Sequence, residues 1–117
     1  MKIHGREIKF KKTVKGTNDL AKICPNGDLR RIDEVFSSED TSTMQEAMAV
    51  FVVAMNEGYE YSMKYEKDGY EPHPLTKEEV LFLDYDEFFP LFQQAVDVFK
   101  ADKQTIKAEG KKTTKTK

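Results

Sequence analysis

The sequence predicts a mainly α (α+β) fold: an N-terminal two-stranded β-hairpin packed on a bundle of about five helices, then a disordered C-terminal tail. Three observations lead there. Apolar residues alternate with polar ones through residues 1–10, around Gly5. From residue 17 on, apolar residues recur at helical spacing, interrupted by proline, glycine and polar joints. At residue 101 the composition changes: residues 101–117 hold six lysines, four threonines and one large aliphatic side chain, Ile106. The chain is thus expected to form one domain over residues 1–100 and a basic, solvated tail over 101–117, which has too little apolar surface to offset its ordering entropy.

The hairpin is read with Gly5-Arg6 as a two-residue turn. That register sets Ile3 opposite Ile8, Met1 opposite Phe10, Lys2 opposite Lys9 and His4 opposite Glu7. Its apolar face must lie on helices, because a lone hairpin is marginal in water. Thr17 is taken as the N-cap of the first helix, with Asp19 favouring the helix dipole. Leu20, Ile23 and Cys24 form its stripe, and Pro25 ends it. Asn26-Gly27 turns the chain, and Asp28 caps a second short helix with Leu29, Ile32, Val35 and Phe36 inward.

The main helix is expected to begin near Ser42 or Thr43. Met44, Ala47, Met48, Phe51, Val52 and Met55 give its stripe, and Val50, Val53 and Ala54 widen it almost all round, as in a central helix touched by several others. Gly58 is read as a point where it ends or loosens, with helical spacing resuming from Tyr59 to Lys67. A loop held extended by Pro72-His73-Pro74 follows. Thr76 and Glu79 then form a capping box opening a short helix through Leu83. The last helix is expected from about Asp84 to Ala101, with Phe88, Phe92, Ala95 and Phe99 on one stripe. Pro90 should lie in its first turn or kink it, since deeper inside a helix it costs about 3 kcal/mol.

Composition excludes several classes of function. The longest apolar run, residues 47–55, is far below the roughly twenty residues of a membrane span. No leader-like apolar stretch follows Met1, and a single cysteine, Cys24, excludes an intramolecular disulfide, so a reducing cytoplasm is the expected compartment. The net charge of −2 conceals a partition: +5 over residues 1–15, −11 over 16–100 and +4 over 101–117. An acidic central region repels phosphate, which makes nucleic acid an unfavourable partner for the body.

No cofactor, metal or catalytic residue is assigned. His4, His73 and Cys24 are the only soft ligands, and no two share ligand spacing on one element. No phosphate-binding glycine loop, nucleophile elbow or zinc-binding His-Glu-x-x-His occurs, so the chain is not expected to be an enzyme. The two helices around Cys24-Pro25-Asn26-Gly27 have the outline of a helix-turn-helix. The alternative reading is therefore a small nucleic-acid-binding regulator using them and the basic tail. Asp28, Asp33 and Glu34 offset Arg30 and Arg31, however, and two short packing helices are the simpler account. Candidate protein contacts are Tyr59, Tyr61 and Tyr65, interleaved with Glu57, Glu60 and Glu66, together with Phe88 and Phe89, which are adjacent and cannot both face the core. Association with further copies of the chain is left open.

Several short motifs carry a resemblance. They are Lys2-Ile3-His4-Gly5-Arg6-Glu7-Ile8-Lys9-Phe10, Ile23-Cys24-Pro25-Asn26-Gly27-Asp28, Asn56-Glu57-Gly58-Tyr59-Glu60 and Gly69-Tyr70-Glu71-Pro72-His73-Pro74-Leu75-Thr76. In this order, over residues 1–100, they resemble small tail assembly chaperones of long-tailed phages and prophages of Gram-positive bacteria. The resemblance implies a soluble, non-enzymatic factor in the host cytoplasm, absent from the mature virion. It would bind the tape measure protein, keep that protein's helices from aggregating and help recruit tail-tube subunits. Genes of this family often yield a longer product by frameshifting, and Gly110-Lys111-Lys112 can be encoded by a slippery run. The tail is then expected to be a hinge toward an optional C-terminal extension.

Overall fold

A computed structural model describes the backbone of residues 1–109 and the side chains of residues 1–101. It is mostly helical, with an N-terminal antiparallel hairpin and five α-helices. The hairpin strands are β1 (Lys2–Ile3) and β2 (Arg6–Glu7). Their turn is His4-Gly5, one residue earlier than expected, and both residues have positive φ, 51° and 80°. Type I′ geometry requires that pair of conformations, and histidine tolerates the left-handed region better than most side chains. Lys2 therefore pairs with Glu7 and Ile3 with Arg6, while the Ile8 N–H donates to the Met1 carbonyl at 2.8 Å. The expected pairings of Ile3 with Ile8, Met1 with Phe10, Lys2 with Lys9 and His4 with Glu7 are thus corrected. The apolar face survives, because each partner moves by two positions and keeps its side of the pleat. Ile3 and Ile8 are both buried.

Helix α1 (Val14–Ala21) starts before the expected cap. Thr13 caps it, accepting from Gly16 N–H at 3.0 Å, while Thr17 lies inside and its hydroxyl donates back to the Val14 carbonyl. Two 3₁₀ turns, Pro25–Gly27 and Leu29–Arg31, lead into the five-residue α2 (Ile32–Phe36). Asp28 caps the second turn as its position predicts, accepting from Arg30 N–H at 3.0 Å.

Helix α3 (Thr41–Glu66) is continuous through Gly58 and packs against α1, α2, α4 and α5. Phe51, Val52, Ala49 and Met55 are buried on it, so it is the central rod that its near-uniform apolar surface predicts. Gly58 has a tertiary reason. A Cβ there would lie 2.3 Å from the Lys11 carbonyl oxygen, where the chain leaving the hairpin crosses α3. Lys11 N–H donates to the Met55 carbonyl at 2.9 Å at the same crossing. The glycine admits a neighbouring backbone; it does not end the helix.

Helix α4 (Lys77–Leu81) carries the capping box, with Thr76 and Glu79 each bonding the other's backbone N–H, and stops two residues before Leu83. Helix α5 (Tyr85–Glu109) contains Pro90 in its second turn, one turn deeper than expected, and continues through it. Its backbone stays helical to Glu109, past the expected end near Ala101. Side chains beyond 101 and all of residues 110–117 lie outside the described residues. The expected tail begins at 101, so its residues up to Glu109 continue the backbone of α5, while its remainder and the hinge role at Gly110-Lys111-Lys112 fall outside the described residues. Phe36, Phe51, Phe92 and Phe99 join α2, α3 and α5 through edge-to-face contacts with ring centroids 5.0 to 5.6 Å apart. Such pairs add about 0.5–1.5 kcal/mol beyond the area they bury.

Candidate functional site

The first candidate region is the elbow where α4 hands over to α5. Val80 anchors α4 in the core, with no exposed surface, and Phe88 and Leu91 anchor α5. Asp84 starts α5 by accepting from Glu87 N–H at 3.1 Å. With those anchors inward, the neighbouring residues must turn out. Leu81 is 38% exposed, Phe82 83%, Tyr85 62% and Phe89 42%. The adjacent pair Phe88 and Phe89 is thereby resolved: Phe88 belongs to the core and Phe89 to the surface. Tyr85 and Phe89, four apart on one helix face, lie with ring centroids 5.3 Å apart. The Tyr85 hydroxyl accepts from Gln45 Nε2 of α3 at 3.3 Å.

The charge around this elbow has one sign. Residues 78–99 contain no lysine, arginine or histidine, but include Glu78, Glu79, Asp84, Asp86 and Glu87 near the elbow. Lys77, just before it, is paired with Glu46 of α3. Among the described residues no cation forms an ion pair with Glu78, Asp84, Asp86 or Glu87.

The second region lies near the other end of α3. Tyr61 and Tyr65, 49% and 86% exposed, share a face and line a depression of about 460 Å³ with Thr13, Gly16, Ala54 and Gly58. Tyr59, two residues before Tyr61, points elsewhere on the helix and packs under Lys9, whose Nζ is 5.9 Å from the ring centroid. The five candidate contact residues are therefore not one site. Gln45 at the elbow and Tyr61 are sixteen residues apart on α3, about 24 Å at 1.5 Å per residue.

A third region is polar and interior. Asn56 and Glu60, one turn apart on α3, are 0% and 5% exposed. Asn56 Nδ2 donates to the Lys9 carbonyl at 2.9 Å, and its Oδ1 accepts from Leu75 N–H at 2.7 Å. Glu60 Oε1 accepts from the Tyr70 hydroxyl at 2.7 Å and from His73 N–H at 2.9 Å. Arg6 of the hairpin donates to the His73 carbonyl. Two buried side chains thus pin the hairpin exit and the 70–75 loop to α3. The Tyr70 phenol is pushed up to about 12, first by its hydrogen bond to Glu60, then by burial and by the carboxylate charge. It is a neutral donor at physiological pH, and its task is to hold the loop.

The remaining chemical groups are structurally engaged. Cys24 is buried, its thiol donates to the Leu20 carbonyl at 3.2 Å, and burial raises its pKa, which disfavours a reactive thiolate. Among the described residues no three His, Cys, Asp or Glu side chains converge as metal ligands. Arg30 forms a two-point pair with Asp28, and Arg31 another with Glu34 at 2.8 Å on both nitrogens. These hydrogen bonds hold both carboxyls below their usual range. The guanidinium groups a recognition helix would offer to DNA are therefore already paired, and they sit in the 3₁₀ turn Leu29–Arg31 ahead of the five-residue α2.

Sequence reading missed Leu81, Phe82 and Tyr85, and the pinning role of Asn56 and Glu60. For Tyr85 a signal existed, its spacing of four from Phe89. No protein-family model matches the chain, and no curated protein or solved structure is significantly similar to it.

Proposed function

We propose that this protein is a non-enzymatic binding factor, a tail assembly chaperone of the long-tailed phage type. In this reading it binds the tape measure protein in the host cytoplasm, keeps that protein's amphipathic helices soluble, helps recruit tail-tube subunits and leaves before the virion is complete. The observation that carries the reading is the exposed aromatic elbow, where Leu81, Phe82, Tyr85 and Phe89 all face outward. Large aromatic side chains are concentrated in interfaces and are rarely left together in water without a partner. Further support comes from the motifs behind the resemblance. Asn56 and Glu60 of one motif bond Tyr70, His73 and Leu75 of another, and Arg6 of the hairpin motif bonds His73. They act together as determinants of one fold.

No helix among the described residues is long and apolar enough to cross a membrane. The paired state of Arg30 and Arg31 weighs against the nucleic-acid alternative. Co-expression with a phage tape measure protein, sought among the genes neighbouring this one, tests the proposal. The expected result is a soluble, co-purifying complex. A tape measure protein that stays insoluble, with no complex formed, would refute it.

A further inference from the structure

We propose that the α4–α5 elbow docks a basic amphipathic helix, with Phe82, Tyr85 and Phe89 as the apolar seat and Glu78, Asp86 and Glu87 as the charged rim. The inference rests on the chaperone reading for its partner, whose bound segment it now describes chemically. Three observations carry it.

The first is the seat itself. Phe82 and Tyr85 are among the most exposed large apolar side chains of the described residues, and Phe89 lies against Tyr85 at 5.3 Å. Side chains spaced four apart along α5 form a ridge of the kind that fits between the side-chain rows of another helix. The elbow is built from helices alone, so it offers no strand edge on which an extended peptide could add.

The second is charge. The seat and Glu78, Asp86 and Glu87 belong to one unbroken cation-free stretch from residue 78 to 99, and none of these three carboxylates has an ion-pair partner among the described residues. An acidic helix laid on this surface would be repelled. A helix with lysine or arginine flanking its apolar stripe would gain electrostatic steering and rim pairing that weaken with salt.

The third is the chemistry of the rings. Phe82 and Tyr85 present π-faces as well as apolar area, and arginine or lysine side chains bind such faces. Within the molecule the same contact already occurs, where Lys12 Nζ sits 3.9 Å from the Phe99 ring centroid.

The test is direct titration of the full chain with a synthetic Leu/Lys amphipathic peptide of about five helical turns, followed by calorimetry or peptide fluorescence. A Leu/Glu peptide of the same pattern and a scrambled Leu/Lys peptide are run beside it. The expected result is saturable binding of the amphipathic Leu/Lys peptide alone, weakening as salt is raised. Phe82→Ser with Phe89→Ser should weaken it at least about tenfold, the scale of an aromatic anchor, with a variant that still unfolds cooperatively at a somewhat lower temperature, since Phe89 also packs on Phe88. Asp86→Asn with Glu87→Gln, which leaves the apolar seat intact, should weaken it several-fold and flatten the salt dependence.

The inference is overturned if the Leu/Glu or scrambled peptide binds as tightly, if neither pair of substitutions weakens binding, or if Tyr65→Ser abolishes it instead. It also fails if the elbow is covered by a second copy, seen as self-association in sedimentation that the Phe82 and Phe89 substitutions dissolve. Phosphatidylcholine vesicles that bind the chain through the same residues would likewise overturn it. None of these measurements uses a tape measure protein. A chain that solubilises that protein but ignores the peptide breaks this inference alone; a chain that binds the peptide but fails in co-expression breaks the chaperone reading alone.

Discussion

Asn56 and Glu60 are polar and buried, whereas Phe82 and Tyr85 are aromatic and exposed. Both pairs reverse the usual distribution of residues, and the difference between them lies in what each is bonded to. The interior pair makes four hydrogen bonds, to Lys9, Tyr70, His73 and Leu75, all within the chain. Burying an amide and a carboxylate is tolerable only with such matching. The exposed pair has one weak polar tie, from Gln45 to the Tyr85 hydroxyl, and one ring contact, from Tyr85 to the equally surface-facing Phe89. A reversal that is satisfied internally serves the fold. A reversal left unsatisfied is where the proposed partner would bind. The two regions should therefore separate cleanly under mutation, one changing stability and the other binding.

The largest effect is expected at Asn56. Asn56→Leu fills the space but leaves the Lys9 carbonyl and the Leu75 N–H buried without partners, at about 1–3 kcal/mol each. A loss of about 3 kcal/mol by urea denaturation, with binding intact in the fraction still folded, would place Asn56 with the fold. Next comes Gly58→Ala. Alanine is favoured over glycine by about 1 kcal/mol in a helix interior, but here its Cβ would meet the Lys11 carbonyl at 2.3 Å. Moving a backbone segment outweighs the propensity gain, and a net loss of about 2 kcal/mol is expected. A stabilised variant would show that the hairpin exit does not cross α3 this closely.

A smaller effect is expected from alkaline titration. The Tyr70 phenol titrates at about 12 in the folded protein, above the value of about 10 for a free tyrosine. A raised folded pKa means that its contribution to stability is complete below pH about 10 and is lost as the pH climbs toward 12. Ultraviolet absorbance of the phenolate should show one late-titrating tyrosine, and Glu60→Gln should bring it back toward the ordinary value. The smallest effect on stability belongs to the elbow. Phe82→Ser should change the unfolding free energy by no more than about 0.5 kcal/mol, as for a surface site, while binding suffers.

Local chemistry was legible in the sequence, and long-range chemistry was not. The apolar surface of α3, the Thr76–Glu79 capping box and the Asp28 cap each depend on residues within a few positions, and all three were readable. The turn of the hairpin was misplaced because Gly5 fits either of two adjacent turn schemes, and only the His4 conformation decides between them. Thr13 and Thr17 are both competent caps four residues apart, and the crossing of the chain over α3 selects the earlier one. Gly58 looked like a helix breaker because the backbone it accommodates comes from residue 11. Asn56 finds its loop partner nineteen residues away and Glu60 its partners ten and thirteen residues away, beyond any local pattern. Of the candidate contacts, Phe89, Tyr61 and Tyr65 are exposed as a contact surface requires, whereas Phe88 is core and Tyr59 is half-buried beneath Lys9. Phe82 was missed because it sits at a joint between helices, where periodicity carries no information about which side is out.

The central claim is that the elbow, and not the buried polar pair, holds the partner. Its most direct test is co-expression of the tape measure protein with the wild-type chain and with the Phe82→Ser, Phe89→Ser variant, measuring the soluble tape measure protein recovered on each. The account expects a soluble complex with the wild type and its loss with the variant, under conditions where the variant is still folded. Equal recovery with a folded variant would contradict it.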